Sequence, residues 1–323
     1  MPRRTPTFSI SIEWENASFA ELERTRRMLR ELRRQLMALP PPARPPQINF
    51  LFDRRTIDSA MVESVIAAEF QPETVPADTR IIPNEGLRYY EQKNFGARLY
   101  DGELTLFLDS DVVPEPGWLE AMLESFETAD VGVVAGATYI ECESFYSKAF
   151  ALFWFFALRD PGANLERATF FHANNCAFRS EVFLAHPFPD LPIYRGQCSV
   201  LCHRLEESGI SIYLQKKARV AHPVPQTAWY FLARAMNNGR DEVLVQGLIA
   251  RRNRTPLRTV FWNFRAGMLK SFRKIRAHAR DVQLTPVAAV AAYAVALAYF
   301  GSKAIGELIT HLRPNLVARL FPV

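Results

Sequence analysis

Two carboxylates one residue apart, Asp109 and Asp111, close the apolar run Leu104-Thr-Leu-Phe-Leu108. The run is long enough for one buried strand. Alternation along an extended backbone sends both acids to the same side. Two hard oxygen ligands in that position can hold Mg2+ or Mn2+, and such an ion neutralises a diphosphate. The C-terminal ends of strands are also where open α/β sheets usually bind ligands. A solvated turn after a strand can carry the same tripeptide, so the weight falls on the neighbouring sequence.

The elements that would position this pair are legible nearby. Phe8-Ser-Ile-Ser-Ile12 alternates and predicts a first strand. Ser18-x-x-Glu21 predicts a capping box, opening a helix with Phe19, Leu22, Leu29, Leu32 and Leu36 on one face. The proline-rich stretch 40–46 stops that helix, and Ile48-Asn-Phe-Leu-Phe52 reads as a second strand ending on Asp53. Strand, helix, strand in this order predicts a βαβ unit with a parallel pair. Residues 57–69, 87–100 and 116–127 read as helices, 80–82 and 131–134 as strands. The aromatic stretch 145–158 reads as core or as the wall of an acceptor site, with core favoured because aromatic stripes usually pack inward.

Upstream of the acidic pair lies Gln92-Lys-Asn94-Phe-Gly96-Ala97, then Asp101-Gly102-Glu103; downstream lies Pro114-Glu-Pro-Gly117-Trp118-Leu119. Further on come Asn175-Cys-Ala-Phe-Arg179, then Arg195-Gly-Gln197-Cys198-Ser-Val-Leu-Cys-His-Arg204-Leu205, Gly209 and His222. Together these stretches resemble the family 2 nucleotide-sugar glycosyltransferases. The resemblance implies an α/β fold of the GT-A type, a Rossmann-like, mostly parallel mixed sheet flanked by helices, with a helical C-terminal extension. It implies a catalytic domain over 1–225, while the remainder, 226–323, reads from its own composition as a helical, basic, membrane-associating region. By the same resemblance the donor is a nucleotide-diphosphate sugar contacted by Glu15, Asp53, Asn94 and Asp109. The metal, Mg2+ or Mn2+, falls to Asp109, Asp111 and His222.

The chain departs from the family in one chemically important place. Where relatives carry Glu-Asp, whose carboxylate is the usual base, it has Gln197-Cys198. A thiol with a pKa of about 8.5 and no obvious tuning partner is a poor substitute. Asp190 and Cys198 are the candidate catalytic residues, with Asp241 and Glu242 as further carboxylates. Arg234 and Arg240 lie where relatives carry Gln-x-x-Arg-Trp, and the missing motif argues against a processive polysaccharide synthase. Two other readings stay open. One is a catalytically silent module that binds a nucleotide sugar or a protein partner. The other is a haloacid-dehalogenase-type phosphatase, disfavoured because the acidic pair lies past residue 100 and continues into Val-Val-Pro.

The 323-residue chain carries a net charge of +5, and its cations are unevenly spread. Between Arg251 and Arg280 there is no acid, and 255–272 mixes aromatics with cations, a composition suited to interfacial helices. Leu284–Ser302 is uncharged and about long enough to span a bilayer, but rich in alanine. Spanning, interfacial and packed helices all remain open. The expected partners are therefore the nucleotide sugar, a glycan or lipid acceptor and an anionic membrane surface, not nucleic acid. The four cysteines form no CxxC pair and read as free thiols of a reducing compartment. No signal peptide is apparent. The expected location is cytoplasmic, by peripheral or single-span association with the inner face of the plasma membrane.

Overall fold

The computed structural model describes residues 5–18, 21–40, 42–128, 130–249 and 256–322. Phe19 and the start of the basic block, 251–255, lie outside the described residues. The elements in chain order are β1 (Phe8–Glu13), α1 (Leu22–Ala38), β2 (Gln47–Asp53), α2 (Ser59–Glu69), β3 (Asp78–Asn84), α3 (Tyr89–Ala97) and β4 (Leu104–Asp109). They continue with β5 (Val113–Pro114), α4 (Trp118–Glu124), β6 (Val133–Ile140), α5 (Phe145–Phe153), β7 (Leu165–Ala168), β8 (Asn175–Arg179) and α6 (Ser180–Ala185). The chain ends with α7 (Gln197–Glu207), β9 (Ile212–His222), α8 (Ala228–Ile249), α9 (Pro256–His278), α10 (Pro286–Leu312) and α11 (Leu316–Leu320).

The strands form one mixed sheet in the order β3-β2-β1-β4-β8-β6-β9-β5, with β7 added to β9. The first four run parallel, as the βαβ reading requires, and β8 lies antiparallel to β4 and β6. Strands β1, β2 and β4 are buried along their whole length, which is why they read as near-continuous apolar runs. Because they are parallel, they end on one edge, and the register sets Glu13 opposite Asp109. A fan of acids at one sheet edge is thus a consequence of topology.

Two compact units divide the chain. The first comprises Met1–Thr138, Asp160–Asp190 and Leu201–His222; the second comprises Tyr139–Arg159, Leu191–Val200 and Pro223–Val323. The second unit therefore draws two segments from within the expected 1–225 domain. In the first unit, α1 buries Met28, Leu29, Leu32 and Leu36 in the core below the sheet. That helix begins at Leu22 with no side-chain cap at Glu21, later than a capping box at Ser18 would place it. The chain before it is committed elsewhere: a 3-10 turn spans Glu15–Ser18, and the Ala17 amide donates to Ser110 Oγ at 3.0 Å.

In the second unit, α8 and α10 approach to backbone contact. A Cβ on Gly239 would lie 2.1 Å from the Lys303 carbonyl, and one on Gly306 would lie 2.3 Å from that of Met236, so only glycine fits either place. The aromatic stretch proves to be core: Phe150, Phe153, Trp154 and Phe156 are buried with Tyr299. Lys274 of α9 ties that stretch down, donating to the carbonyls of Ala151, Trp154 and Phe156. Burial at this position pushes its ammonium down to about 8.

Candidate functional site

At the C-terminal edge of the first unit's sheet, three charged side chains are sealed from water. Glu13, Lys93 and Asp109 are 0%, 0% and 3% exposed. Lys93 Nζ lies 2.7 Å from Asp109 Oδ1. Tyr89 Oη donates to the same carboxylate at 2.7 Å, and Asn16 Nδ2 donates to Oδ2 at 2.9 Å. Tyr89 and Lys93 reach it together because they sit four residues apart on α3, one turn along the same face. Asn16 also donates to Glu13 Oε1 at 2.6 Å and so bridges the two acids. Burial pushes the Glu13 carboxyl well above its ordinary value, the Asp109 charge adds to the rise, and Lys93 opposes it.

Three donors, an ammonium, a phenol and an amide, thus converge on Asp109 and fix the strand end. Asp111, two residues on, is buried at 6% exposure in a turn held by other elements. Arg24 Nε of α1 donates to its carbonyl at 2.8 Å. Gln35, also of α1, accepts from the Leu119 amide and donates to the Glu115 carbonyl, clamping the far side of the turn. On β9 the pair Val113↔Ala221 precedes His222, so the register brings that histidine to the turn carrying Asp111. Among the described residues there is no cluster of three or more His, Cys, Asp or Glu side chains set to hold a metal.

The other expected residues are placed as follows. Asp53 ends β2 and is gripped by the Arg55 guanidinium and by the Gly86 amide. The Arg55 hydrogen bonds hold its carboxyl down to about 2. Glu15 Oε1 accepts from Gln92 Nε2 at 2.8 Å. The Asn94 amide donates to the Phe188 carbonyl and accepts from the Phe188 amide. Asp190 lies just beyond that clasp, exposed and paired with Arg88. Cys198 is buried in the first turn of α7, in the second unit. Its neighbour Gln197 is also buried and donates to the Ile193 carbonyl at 3.3 Å.

Four participants escaped the sequence reading: Glu13, Asn16, Tyr89 and Lys93. The usable signal was a lysine four residues after a tyrosine on a helix just before the acidic strand.

Comparison with known proteins bears on the fold. Residues 63–186 match the model described as Glycosyl transferase family 2. A glucosyl-dolichyl phosphate glucuronosyltransferase of Haloferax volcanii is 27% identical over 154 residues, 43% of this chain and 48% of that protein. The match thus spans about half the length of that relative. A mannosyltransferase of Pyrobaculum calidifontis, solved with GDP-Man and Mn2+, superposes with a TM-score of 0.58 at 15% identity, over 97% of this chain and 88% of that one. At that identity the likeness establishes the fold, GT-A.

Two outcomes follow from the buried charges. Lys93→Met leaves Asp109 without its cation and lowers the unfolding free energy by about 3–5 kcal/mol, read by urea denaturation; adding Asp109→Asn recovers part of the loss. Glu13 titrates with the opposite sign from an exposed acid. Its folded carboxyl keeps its proton above the ordinary 4.5. Stability from this residue is therefore full below that pH and lost as pH rises toward the raised folded value. Glu13→Gln mimics the protonated form, so the variant gains on the wild type above pH 4.5, by at most about 1.4 kcal/mol per pH unit. Parallel denaturation curves at several pH values measure this.

Proposed function

We propose that this chain, whose residues 63–186 match the family 2 glycosyltransferase model and whose fold is GT-A, transfers a sugar from a nucleotide diphosphate to an amphiphilic, lipid-linked acceptor. The observation carrying the reading is the turn after β4, where Asp111 is locked by α1 beside a buried ion pair. A carboxylate carried on a backbone so held, at a strand's C-terminal end, is suited to a divalent ion. We assign the ion, Mn2+ or Mg2+, to Asp111 with His222; when bound it would supply charge neutralisation for the departing diphosphate. The Mn2+ of the Pyrobaculum structure supports this choice. Asp53, its oxygens fixed by Arg55 and Gly86, is proposed to meet the nucleoside, with Glu15 at the first loop. Asp190 is our choice for the proton acceptor, as the exposed carboxylate of the pair of candidates; the Cys198 thiol is the lesser one. Gln197-Cys198 in place of Glu-Asp is the one observation favouring a silent nucleotide-sugar binder.

The lipid character of the acceptor is supported by the printed substrate of the Haloferax relative and by α9 and α10. On α9, Leu257, Phe261, Leu269 and Phe272 are exposed among Arg258, Arg265, Arg273 and Arg276, and no acid occurs from 256 to 280. A groove of about 410 Å3, lined by Phe261, Phe264, Arg265, Met268, Leu269, Phe272 and Tyr293, runs along this face. On α10, Val287, Val290 and Leu297 are exposed, while Ala292, Ala296, Tyr299 and Gly306 are buried. Helix α10 is long and apolar enough to cross a membrane. Its buried face and the Lys303–Glu307 pair support a helix lying in the interface rather than crossing. We place the protein peripherally on the inner, anionic leaflet, consistent with its free thiols.

Calorimetry with nucleoside diphosphates tests the site. Mn2+-dependent binding falls by about a hundredfold or more in Asp111→Ala while the melting temperature holds. Equal binding without metal refutes it. Cosedimentation with vesicles tests the surface: binding requires anionic lipid, and Phe261→Asp with Phe272→Asp abolishes it.

A further inference from the structure

The turn after β2 presents a guanidinium whose outer edge none of the steps above uses. Asp53, the last residue of β2, is 6% exposed. Its oxygens accept from Arg55 Nε at 3.0 Å, from Nη2 at 2.6 Å, from the Arg55 amide at 3.0 Å and from the Gly86 amide at 3.1 Å. The backbone is held as well, because the Thr56 and Ile57 amides both donate to the Asp53 carbonyl. The Arg55 side chain is 61% exposed against 8% for that of Asp53. Of the pair, the carboxylate is covered and the guanidinium is presented. A Cβ on Gly86 would crowd the outer end of that guanidinium, at 2.8 Å from Nη2 and 3.1 Å from Nη1. Glycine leaves the end open, and its φ of +81° is one that other residues rarely adopt. The loop carrying Gly86 is itself pinned. The Leu87 amide donates to Asn84 Oδ1 at 3.2 Å, and Gln92 Nε2 donates to the Leu87 carbonyl at 2.9 Å. Glu85 of the same loop is engaged by Arg54.

A guanidinium carries five N–H groups in one plane. Asp53 takes the Nε–Nη2 side of Arg55, and among the described residues Nη1 donates to none. The Nη1–Nη2 end therefore keeps outward N–H groups in a fixed direction. Two parallel donors of this kind pair with two acceptors lying side by side. Among the nucleobases guanine presents such a pair, O6 and N7. Adenine sets an amino group beside N7, cytosine offers an amino group, and the O4 of uracil stands alone. The C-terminal ends of parallel strands, where this turn lies, are where open α/β sheets receive nucleotides. We propose that Arg55 selects guanine as the base of the donor nucleotide, with Asp53 aiming it and Gly86 leaving its outer edge open. This selection rests on the nucleotide-sugar reading above and adds the identity of the base.

Calorimetry on the full chain with GDP, UDP, ADP and CDP, each with and without Mn2+, tests the selection. Wild type binds GDP about tenfold to a hundredfold more tightly than the other three. Arg55→Lys keeps the charge and loses the fork, so its affinity for GDP falls to the level of the others, which change little. A GDP preference that survives in both Arg55→Lys and Arg55→Ala overturns the assignment. An equal loss toward all four nucleotides also overturns it, since that is the mark of an arginine serving the phosphates. Should the Arg55 variants fail to fold, Gly86→Ala decides, because it keeps the arginine and crowds its outer end: loss of the GDP preference supports the selection, and an intact preference overturns it. Wild type that binds all four alike overturns the role of Arg55 and leaves the glycosyltransferase reading standing. Wild type that binds none of them takes both down. The ratio of GDP to UDP affinity is the same with and without Mn2+, because the base contact does not pass through the ion, so failure of the metal site stays distinguishable from failure here.

Discussion

The ion pair between Lys93 and Asp109 is the constraint on which the catalytic edge depends. Both groups are withdrawn from water, so each is tolerable only while the other is in place. Satisfying Asp109 demands Tyr89 and Lys93 from one helix and Asn16 from the loop after the first strand. Three separate segments are thereby fixed around one carboxylate. Asp111 inherits its position from this arrangement, with the backbone hydrogen bonds from α1 completing it. Of the two acids in the motif, Asp109 is the one tied into the fold by an ion pair and two hydrogen bonds.

Much of the fold could be read directly from residues. The alternating and apolar runs locate β1, β2 and β4, and the βαβ order gives their parallel pairing. Boundaries were less legible where tertiary bonds compete with local preference. The start of α1 slips because Asn16 and Ala17 are claimed by the site turn. The helix at 145 ends at Phe153, short of the aromatic run, as Trp154 turns extended. Helix α10 outruns the uncharged segment, because Lys303 and Glu307 neutralise each other within it.

The acidic pair was legible in the sequence; the partners that hold Asp109 were not. Spacing alone marks Asp109 and Asp111 as a pair, but says nothing of Lys93 coming up from α3 to take one of them. Nor does spacing reveal the bonds of Asn94, whose sequence neighbour Lys93 reaches Asp109 while its own amide closes on Phe188. Glu13 was passed over for Glu15 since a strand's last residue reads as core. Its importance appears only when the parallel register sets it across from Asp109.

Adjacent residues on α3 therefore serve two different seams, Lys93 inward to the strand end and Asn94 outward to the segment before Asp190. Sliding the helix by a single residue would forfeit both at once. One short helix thereby ties the segment at 188–190 to the charged edge.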